Sequence, residues 1–228
     1  MKLLLSLLAA TAVFGATPVS ATVIDPAGDL LGTYTGPSTA DVDILSGDVA
    51  FDGSSFLFTA TVAGAIDQTP GQLYAWGINR GAGTPRLDLL RDPDIAPGVL
   101  FDAVVVMLPN GLLSVVIIPA AGAPTATNFF GGTTISGNTF SGAVPLSLLF
   151  PTGFTPQDYD FGLWSRVRVD PLTDGTNNEI ADFLQGSGGL NARVVPEPAT
   201  WMTMLLGFGL AGAFIRSRRG PLEKEALA

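Results

Sequence analysis

The 228-residue sequence contains no histidine and no cysteine. Without histidine, the chain lacks the commonest general base and the commonest transition-metal ligand, and a Ser-His-Asp triad is excluded. Without cysteine, it can form no disulfide, no thiolate nucleophile and no cysteine-ligated zinc or iron–sulfur centre. Any domain in this chain must therefore be stabilised by its own hydrophobic core, for which about 175 residues are enough.

Positive charge is also scarce. The segment from Thr22 to Pro198 has six arginines, no lysine and 18 acidic residues, which gives it a net charge of −12. Such a segment repels nucleic acid and anionic lipid, so we expect no nucleic-acid partner. The same charge favours solubility outside a cell and attracts divalent cations.

Residues 1–21, MKLLLSLLAATAVFGATPVSA, have the pattern of a secretory signal peptide. Lys2 precedes an apolar run, and Val19 and Ala21 place small residues at the −3 and −1 positions of a cleavage site. The apolar run is too short for a transmembrane span. We therefore predict that the chain is exported, with a buried N-terminal helix as the alternative.

A second apolar stretch, Ala199 to Ile215, contains no charged residue. As a helix it would be about 25 Å long, just short of a bilayer core of about 30 Å. Trp201 lies near its outer end, where an indole suits the membrane interface, and an arginine cluster at residues 216–219 follows it on the inner side. The pattern predicts a transmembrane helix over residues 199–215.

The segment 195–219 resembles the PEP-CTERM sorting signal, which combines a Val-Pro-Glu-Pro motif, a short glycine-rich apolar helix and an arginine cluster. The residues that carry the motif are Val195, Pro196, Glu197, Pro198, Arg216, Arg218 and Arg219. The resemblance implies export in a Gram-negative bacterium that makes extracellular polysaccharide. It also implies recognition by exosortase, a membrane cysteine transpeptidase-like enzyme that cuts near Pro-Glu-Pro. The helix would then be a temporary anchor; an ordinary single-pass anchor is the alternative. The tail, residues 220–228, lies beyond the point where the family usually stops.

Residues 22–194 predict an all-β domain, a two-sheet antiparallel β-sandwich that is jelly-roll-like, with about eight to ten strands. The stretch Ser55 to Ala63 alternates between large apolar and mostly small or polar residues, which is the period of a strand. Asn110-Gly111 separates two β-branched runs, Phe101 to Leu108 and Leu112 to Ile118, and so predicts a hairpin.

The beginning of this domain loosely resembles the DOMON and family 9 carbohydrate-binding-like β-sandwiches. The matching positions are Asp25, Pro26, Gly28, Asp29, Asp41, Asp43 and Ile44. Those families bind sugars or haem, and the haem-binding branch uses methionine and histidine ligands. Because this chain has no histidine, the resemblance implies a sugar-binding or structural domain.

Two groups of residues are candidate binding sites. Loop aspartates supply the hard oxygen ligands that Ca²⁺ prefers, although aspartate also favours turns for reasons unrelated to metal. The residues predicted to hold a structural calcium ion are Asp25, Asp29, Asp41 and Asp43. A tryptophan beside arginines on a strand face could bind a sugar ring, although such a face is more often half core and half solvated. The residues predicted to bind a ligand are Tyr74, Trp76, Trp164, Arg166 and Arg168.

We therefore expect an exported protein of the cell surface or the exopolysaccharide matrix, with a structural or interaction role and no enzymatic activity. A carbohydrate-binding module of the same fold is the alternative. A glycoside-active enzyme would need a pair of carboxylic acids. Glu179 is the only glutamate inside the predicted sandwich, and its spacing marks no partner acid. No cofactor other than calcium is expected.

Overall fold

The computed structural model describes residues 22–87, 95–96, 98–168, 177–184, 190–191, 193–194, 207–208 and 211. This part of the chain is built from β-strands joined by turns and by short 3-10 turns at Leu146–Leu148, Pro156–Asp158 and Asn177–Glu179. The described strands are β1 (Val23–Ile24), β2 (Ile44–Phe51), β3 (Ser55–Val62), β4 (Gln72–Asn79), β5 (Thr84–Pro85), β6 (Leu100–Phe101), β7 (Ala103–Met107), β8 (Leu112–Ile117), β9 (Thr125–Phe130), β10 (Thr133–Ser136), β11 (Thr139–Pro145), β12 (Asp160–Val167), β13 (Ile180–Phe183), β14 (Leu190–Asn191) and β15 (Arg193–Val194).

The strands form two large sheets, which confirms the predicted β-sandwich. The first sheet has the order β1-β2-β3-β11-β10, and β15 also pairs with β2. The second sheet has the order β13-β12-β4-β7-β8-β9, and β14 also pairs with β12. Every described pair in the two sheets is antiparallel except β15 with β2, which is parallel. Strands β5 and β6 form a separate small ribbon.

Alternation along the strands explains why the two sheets pack face to face. On β3, Phe56, Phe58, Ala60 and Val62 are buried in the core, whereas Leu57 and Thr59 are exposed on the outer face of the first sheet. A strand with one apolar face can bury it only against another sheet. Rings from both sheets meet there, with the Phe58 and Trp76 centroids 5.4 Å apart.

Strand β4 differs from β3 because all eight of its residues are buried. Tyr74 and Trp76 face the first sheet, whereas Leu73 and Ala75 belong to a second apolar cluster on the opposite face. That outer cluster is covered by residues between β4 and β7, including Leu87 and Phe101. The second sheet therefore buries residues on both of its faces, and the outer face is where the candidate ligand site lies.

The predicted hairpin turn at Asn110-Gly111 is present, and a second hairpin joins β10 to β11. Gly111 has a φ of +89°, and Asn110 Oδ1 accepts a hydrogen bond from the Leu112 amide at 3.1 Å, which closes the β7–β8 turn. Gly137 has a φ of +63° between β10 and β11. Glycine adopts a positive φ without steric strain, so a glycine between two strand-like runs predicts a hairpin turn.

A buried ion pair holds one end of the sandwich together. Arg80 Nε donates to Asp102 Oδ1 at 2.9 Å, and the side chains are 2% and 4% exposed. The other oxygen of Asp102 accepts from the Thr152 hydroxyl at 2.8 Å, and Arg80 Nη1 donates to the Phe150 carbonyl at 3.0 Å. The pair therefore connects the end of β4 to the start of β7 and to the loop after β11.

The predicted signal peptide, residues 1–21, lies outside the described residues, as do most of the predicted transmembrane helix, the arginine cluster and the tail. Within 199–215, only Gly207, Phe208 and Ala211 are described, and their backbone is helical. Among the residues that the structure describes, none belongs to a helix with the length and hydrophobicity needed to cross a bilayer.

Candidate functional site

A cavity of about 370 Å³ lies on the outer face of the second sheet. Its floor is apolar because the outward-facing residues of the central strands are apolar, and three arginines, Arg86, Arg166 and Arg168, also line it. The floor residues on β4, β7, β12 and β13 are Leu73, Ala75, Val104, Val106, Trp164 and Ile180.

The structure brings three of the five predicted ligand-binding residues to this cavity, namely Trp164, Arg166 and Arg168. Tyr74 and Trp76 are not among them. Both are fully buried between the sheets, on the other face of β4. Successive residues of a strand point to opposite faces, and Trp164 is in register with Ala75 rather than with Tyr74 or Trp76. Tyr74 and Trp76 are core residues, and the prediction is corrected for them.

Trp164 offers little surface to a ligand. It is 5% exposed, and its ring lies 5.5 Å from that of Phe101 and 5.4 Å from that of Phe183. A sugar ring stacked on Trp164 would need an aromatic face that these neighbours already partly cover. The tryptophan therefore serves mainly as part of the apolar floor.

Arg166 is engaged by a buried carboxylate. Its Nε donates to Glu179 Oε2 at 2.8 Å, its Nη2 donates to the same oxygen, and the Glu179 side chain is 1% exposed. The sequence marked Glu179 as an isolated glutamate. Its partner Arg166 lies on β12, and the two side chains meet only because β12 packs beside the turn before β13. Asn177 Nδ2 donates to the Leu87 carbonyl at 2.5 Å, which ties the same turn to the cavity's cover.

The other two arginines are less constrained. Arg86 Nε donates to the Phe101 carbonyl at 3.0 Å, and its guanidinium carbon is 5.9 Å from the Phe101 ring. Arg168 is exposed, at the end of the strand that carries Trp164 and Arg166. In the described part of the chain, neither Arg86 nor Arg168 forms an ion pair. Among the described residues, the cavity lining thus has two arginines without a carboxylate partner.

A separate group of carboxylates lies at the edge between the two sheets. One oxygen from each of Asp25, Asp29 and Asp182 lies within 4.8 Å of the others. Asp25 follows β1, Asp182 lies on β13, and the loop after Asp29 is tied to β13 by a bond from the Leu31 amide to the Ala181 carbonyl at 2.8 Å. These oxygens are close enough to share one cation with oxygen ligands at about 2.4 Å.

Asp182 and Asp43, which lie in this neighbourhood, are both buried. Asp182 is 2% exposed, and burial, with the charges of Asp25 and Asp29 adding to it, raises the pKa of Asp182 to about 7. Burial also raises the pKa of Asp43, and the charge of Asp29 contributes. Asp43 Oδ2 accepts from the Gly28 amide at 2.8 Å, whereas its buried Oδ1 has no hydrogen-bond partner among the described residues.

Asp41 is not part of this group. Its carboxylate accepts from the Gln68 amide at 2.8 Å, the Thr69 amide at 2.9 Å and the Thr69 hydroxyl at 2.7 Å. Burial alone would raise its pKa, but these bonds outweigh burial and lower it. The predicted calcium set is therefore corrected, because Asp41 holds a loop and Asp182 takes its place beside Asp25 and Asp29. The only sequence signal for Asp182 was an acidic residue inside a short apolar strand.

A comparison with protein families identifies one segment of the chain. Residues 194–219 match the family model of the PEP-CTERM protein-sorting motif. No curated protein and no solved structure matches the chain. The motif confirms the resemblance seen at the C-terminal region, and the resemblance of the sandwich to DOMON and family 9 domains stays a prediction.

Proposed function

We propose that this PEP-CTERM protein is exported, held briefly in the inner membrane by residues 199–215, and released by exosortase as an extracellular β-sandwich. The observation that carries the proposal is the sorting motif at residues 194–219. A signal of this kind implies export and processing by exosortase in general. We place the released protein at the cell surface or in the exopolysaccharide matrix, where it would have a structural or interaction role.

The position of the motif relative to the fold supports release of an intact domain. Strand β15 is Arg193–Val194, and it pairs with Ala50 and Phe51 at the end of β2. Proline lacks an amide donor and has a fixed φ, so Pro196 disfavours further pairing in this ladder. A cut near Pro-Glu-Pro would therefore remove the anchor without removing any strand of the sandwich.

The chemistry of the described acids supports a non-catalytic role. Glu179 is bound to Arg166, and Asp102 is bound to Arg80. Asp41 is occupied by backbone and threonine donors. In a chain with no histidine and no cysteine, three of the buried acids thus already have structural tasks.

Carbohydrate binding is the second candidate function, and the grouping of Trp164, Arg166 and Arg168 around one cavity favours it. The apolar floor argues against a sugar inside this cavity, because hydroxyl groups buried without partners lose their hydration. Retention of the processed protein on insoluble polysaccharide from the native host tests the idea. Retention that is lost in Arg168→Ala would support it, and elution in the void volume would exclude it.

The structural calcium ion expected from the sequence would be held by Asp25, Asp29 and Asp182, with Asp43 beside them. Support comes from the convergence of three carboxylates and from the buried, unpartnered Oδ1 of Asp43, which a cation would neutralise. The ion would fasten the loop after β1 to β13.

Replacement of Pro196-Glu197-Pro198 by three alanines in the native host tests the sorting proposal. The variant should accumulate as a full-length precursor in the membrane fraction, because exosortase would no longer recognise it. The matched control replaces Pro221-Leu222-Glu223, a proline and a glutamate outside the matched residues, by three alanines. Release of the first variant at the wild-type level would show that the triplet is not the signal.

A further inference from the structure

Arginine side chains are concentrated around the outer-face cavity. Of the six arginines between Thr22 and Pro198, three line this one cavity, namely Arg86, Arg166 and Arg168. The segment as a whole is strongly acidic, with a net charge of −12. Within the described residues, two of these three arginines have no carboxylate partner, and such cations attract anions.

Two of these arginines have donors to spare. Glu179 neutralises Arg166. Arg86 uses only its Nε in a described hydrogen bond, to the Phe101 carbonyl. The side chain of Arg168 is exposed, and its backbone amide makes the bond to Gly71 that ends the strand. The terminal nitrogens of Arg86 and Arg168 are therefore placed to bind an acid group, which arginine does through two parallel bonds.

The interior of the cavity is apolar. Leu73, Ala75, Val104 and Ile180 form its floor together with Trp164, and the volume of about 370 Å³ falls within the usual range of ligand sites, about 300–1,000 Å³. A buried water needs about two to four polar partners, which a floor of this kind does not supply. An apolar group is thus the favoured occupant of the floor.

We propose that this cavity binds an amphipathic organic anion, whose apolar body lies on the apolar floor and whose acid group is bound by Arg86 and Arg168. Burial of the apolar body supplies the affinity at about 25 cal/mol per Å². The arginines supply the orientation and exclude cations. This inference goes beyond the sorting proposal and does not depend on it, because all the residues that line the cavity belong to the sandwich.

Isothermal titration of the processed extracellular protein with three ten-carbon probes, each below its micellar concentration, tests the head-group requirement. Decanoate should bind saturably with one site per chain. Decanol, which keeps the chain and lacks the charge, should bind about tenfold more weakly, the loss expected for a charge-assisted contact. Decyltrimethylammonium should show no saturable binding. Equal affinity for all three probes, or no saturable binding of decanoate, would overturn the proposal.

Variants assign the binding to this cavity. Val106→Phe fills the floor without changing charge and should abolish decanoate binding. Thr59→Phe makes a similar increase in bulk on the exposed outer face of β3 and should leave binding intact. Arg168→Gln should weaken decanoate about tenfold and leave decanol unchanged.

Thermal unfolding of each variant shows whether it is folded. Arg168 is exposed, so Arg168→Gln keeps the test decisive even where Val106→Phe fails to fold. Decanoate binding that is unchanged in Arg168→Gln, or unchanged in a folded Val106→Phe protein, would contradict the proposed site. Binding that weakens equally for decanoate and decanol in Arg168→Gln would contradict the role of the arginine as the anion contact.

Discussion

Asp41 and Asp43 are two residues apart, yet their carboxylates belong to separate sites. The carboxylate of Asp41 accepts bonds from Gln68 and Thr69 at 2.7–2.9 Å, whereas that of Asp43 accepts from the Gly28 amide at 2.8 Å. Because loop aspartates supply the oxygen ligands that Ca²⁺ prefers, the sequence assigned both residues to one site. The turn before β2 separates the two carboxylates. Substitutions at the two positions should therefore have different effects.

Replacement of Asp41 by alanine should destabilise the sandwich by about 3 kcal/mol, because two amides and a hydroxyl would lose a buried acceptor. Urea unfolding of the processed protein measures the change. Thr59→Ala is the control, since Thr59 is exposed on the outer face of β3 and a surface change of this kind costs within about 0.5 kcal/mol. Equal stability of the two variants would mean that the Asp41 bonds contribute nothing.

Calcium should stabilise the protein through Asp182 and its neighbours and not through Asp41. Ca²⁺ at a hundred times its dissociation constant should add about 2.7 kcal/mol to the free energy of unfolding, and the effect should saturate. Asp182→Asn should lose this response, whereas Asp41→Asn, although less stable, should keep it. Equal and unsaturated responses to Ca²⁺ and Mg²⁺ would reduce the effect to charge screening and leave the cluster as turn-forming aspartates.

Removal of the charge of one partner of the Arg80–Asp102 ion pair should lower the stability of the fold. Asp102→Asn leaves the buried guanidinium without its counter-charge and should destabilise the fold by about 3–5 kcal/mol. The double variant Arg80→Met with Asp102→Leu should recover part of this loss, because an apolar pair has no charge to desolvate. Denaturant unfolding of the two variants gives both values. A loss below about 1 kcal/mol in Asp102→Asn would mean that water reaches the pair.

Local signals explain which parts of this fold could be predicted. The alternation on β3 and the Asn110-Gly111 turn depend on neighbours in the chain, and both appear where the sequence placed them. The pairing of β3 with β11 and of β4 with β12 depends on distant segments. No local pattern specifies such a pairing.

The candidate sites follow the same division. Trp164 and Arg166 were predicted to share a face because they are two residues apart on one strand, and they do line one cavity. Glu179 was not assigned to its site because Arg166 is brought near it only by the pairing of β12 with β13. Asp182 was not assigned to its site because Asp25 and Asp29 are brought near it only by the packing of the segment after β1 on β13. Tyr74 and Trp76 were misplaced because β4 is buried on both faces, so its aromatic residues gave no sign of which face was open.

Intact mass spectrometry of the protein that the native host releases tests the central claim most directly. Sorting by the motif at residues 194–219 predicts a mass that lacks residues 1–21 and most residues after Pro198, because both ends have the pattern of removable signals. The sandwich strands from Val23 to Val194 should all be retained. A released or surface-held protein that still contains residues 216–228 would contradict this account and would favour a permanent single-pass anchor.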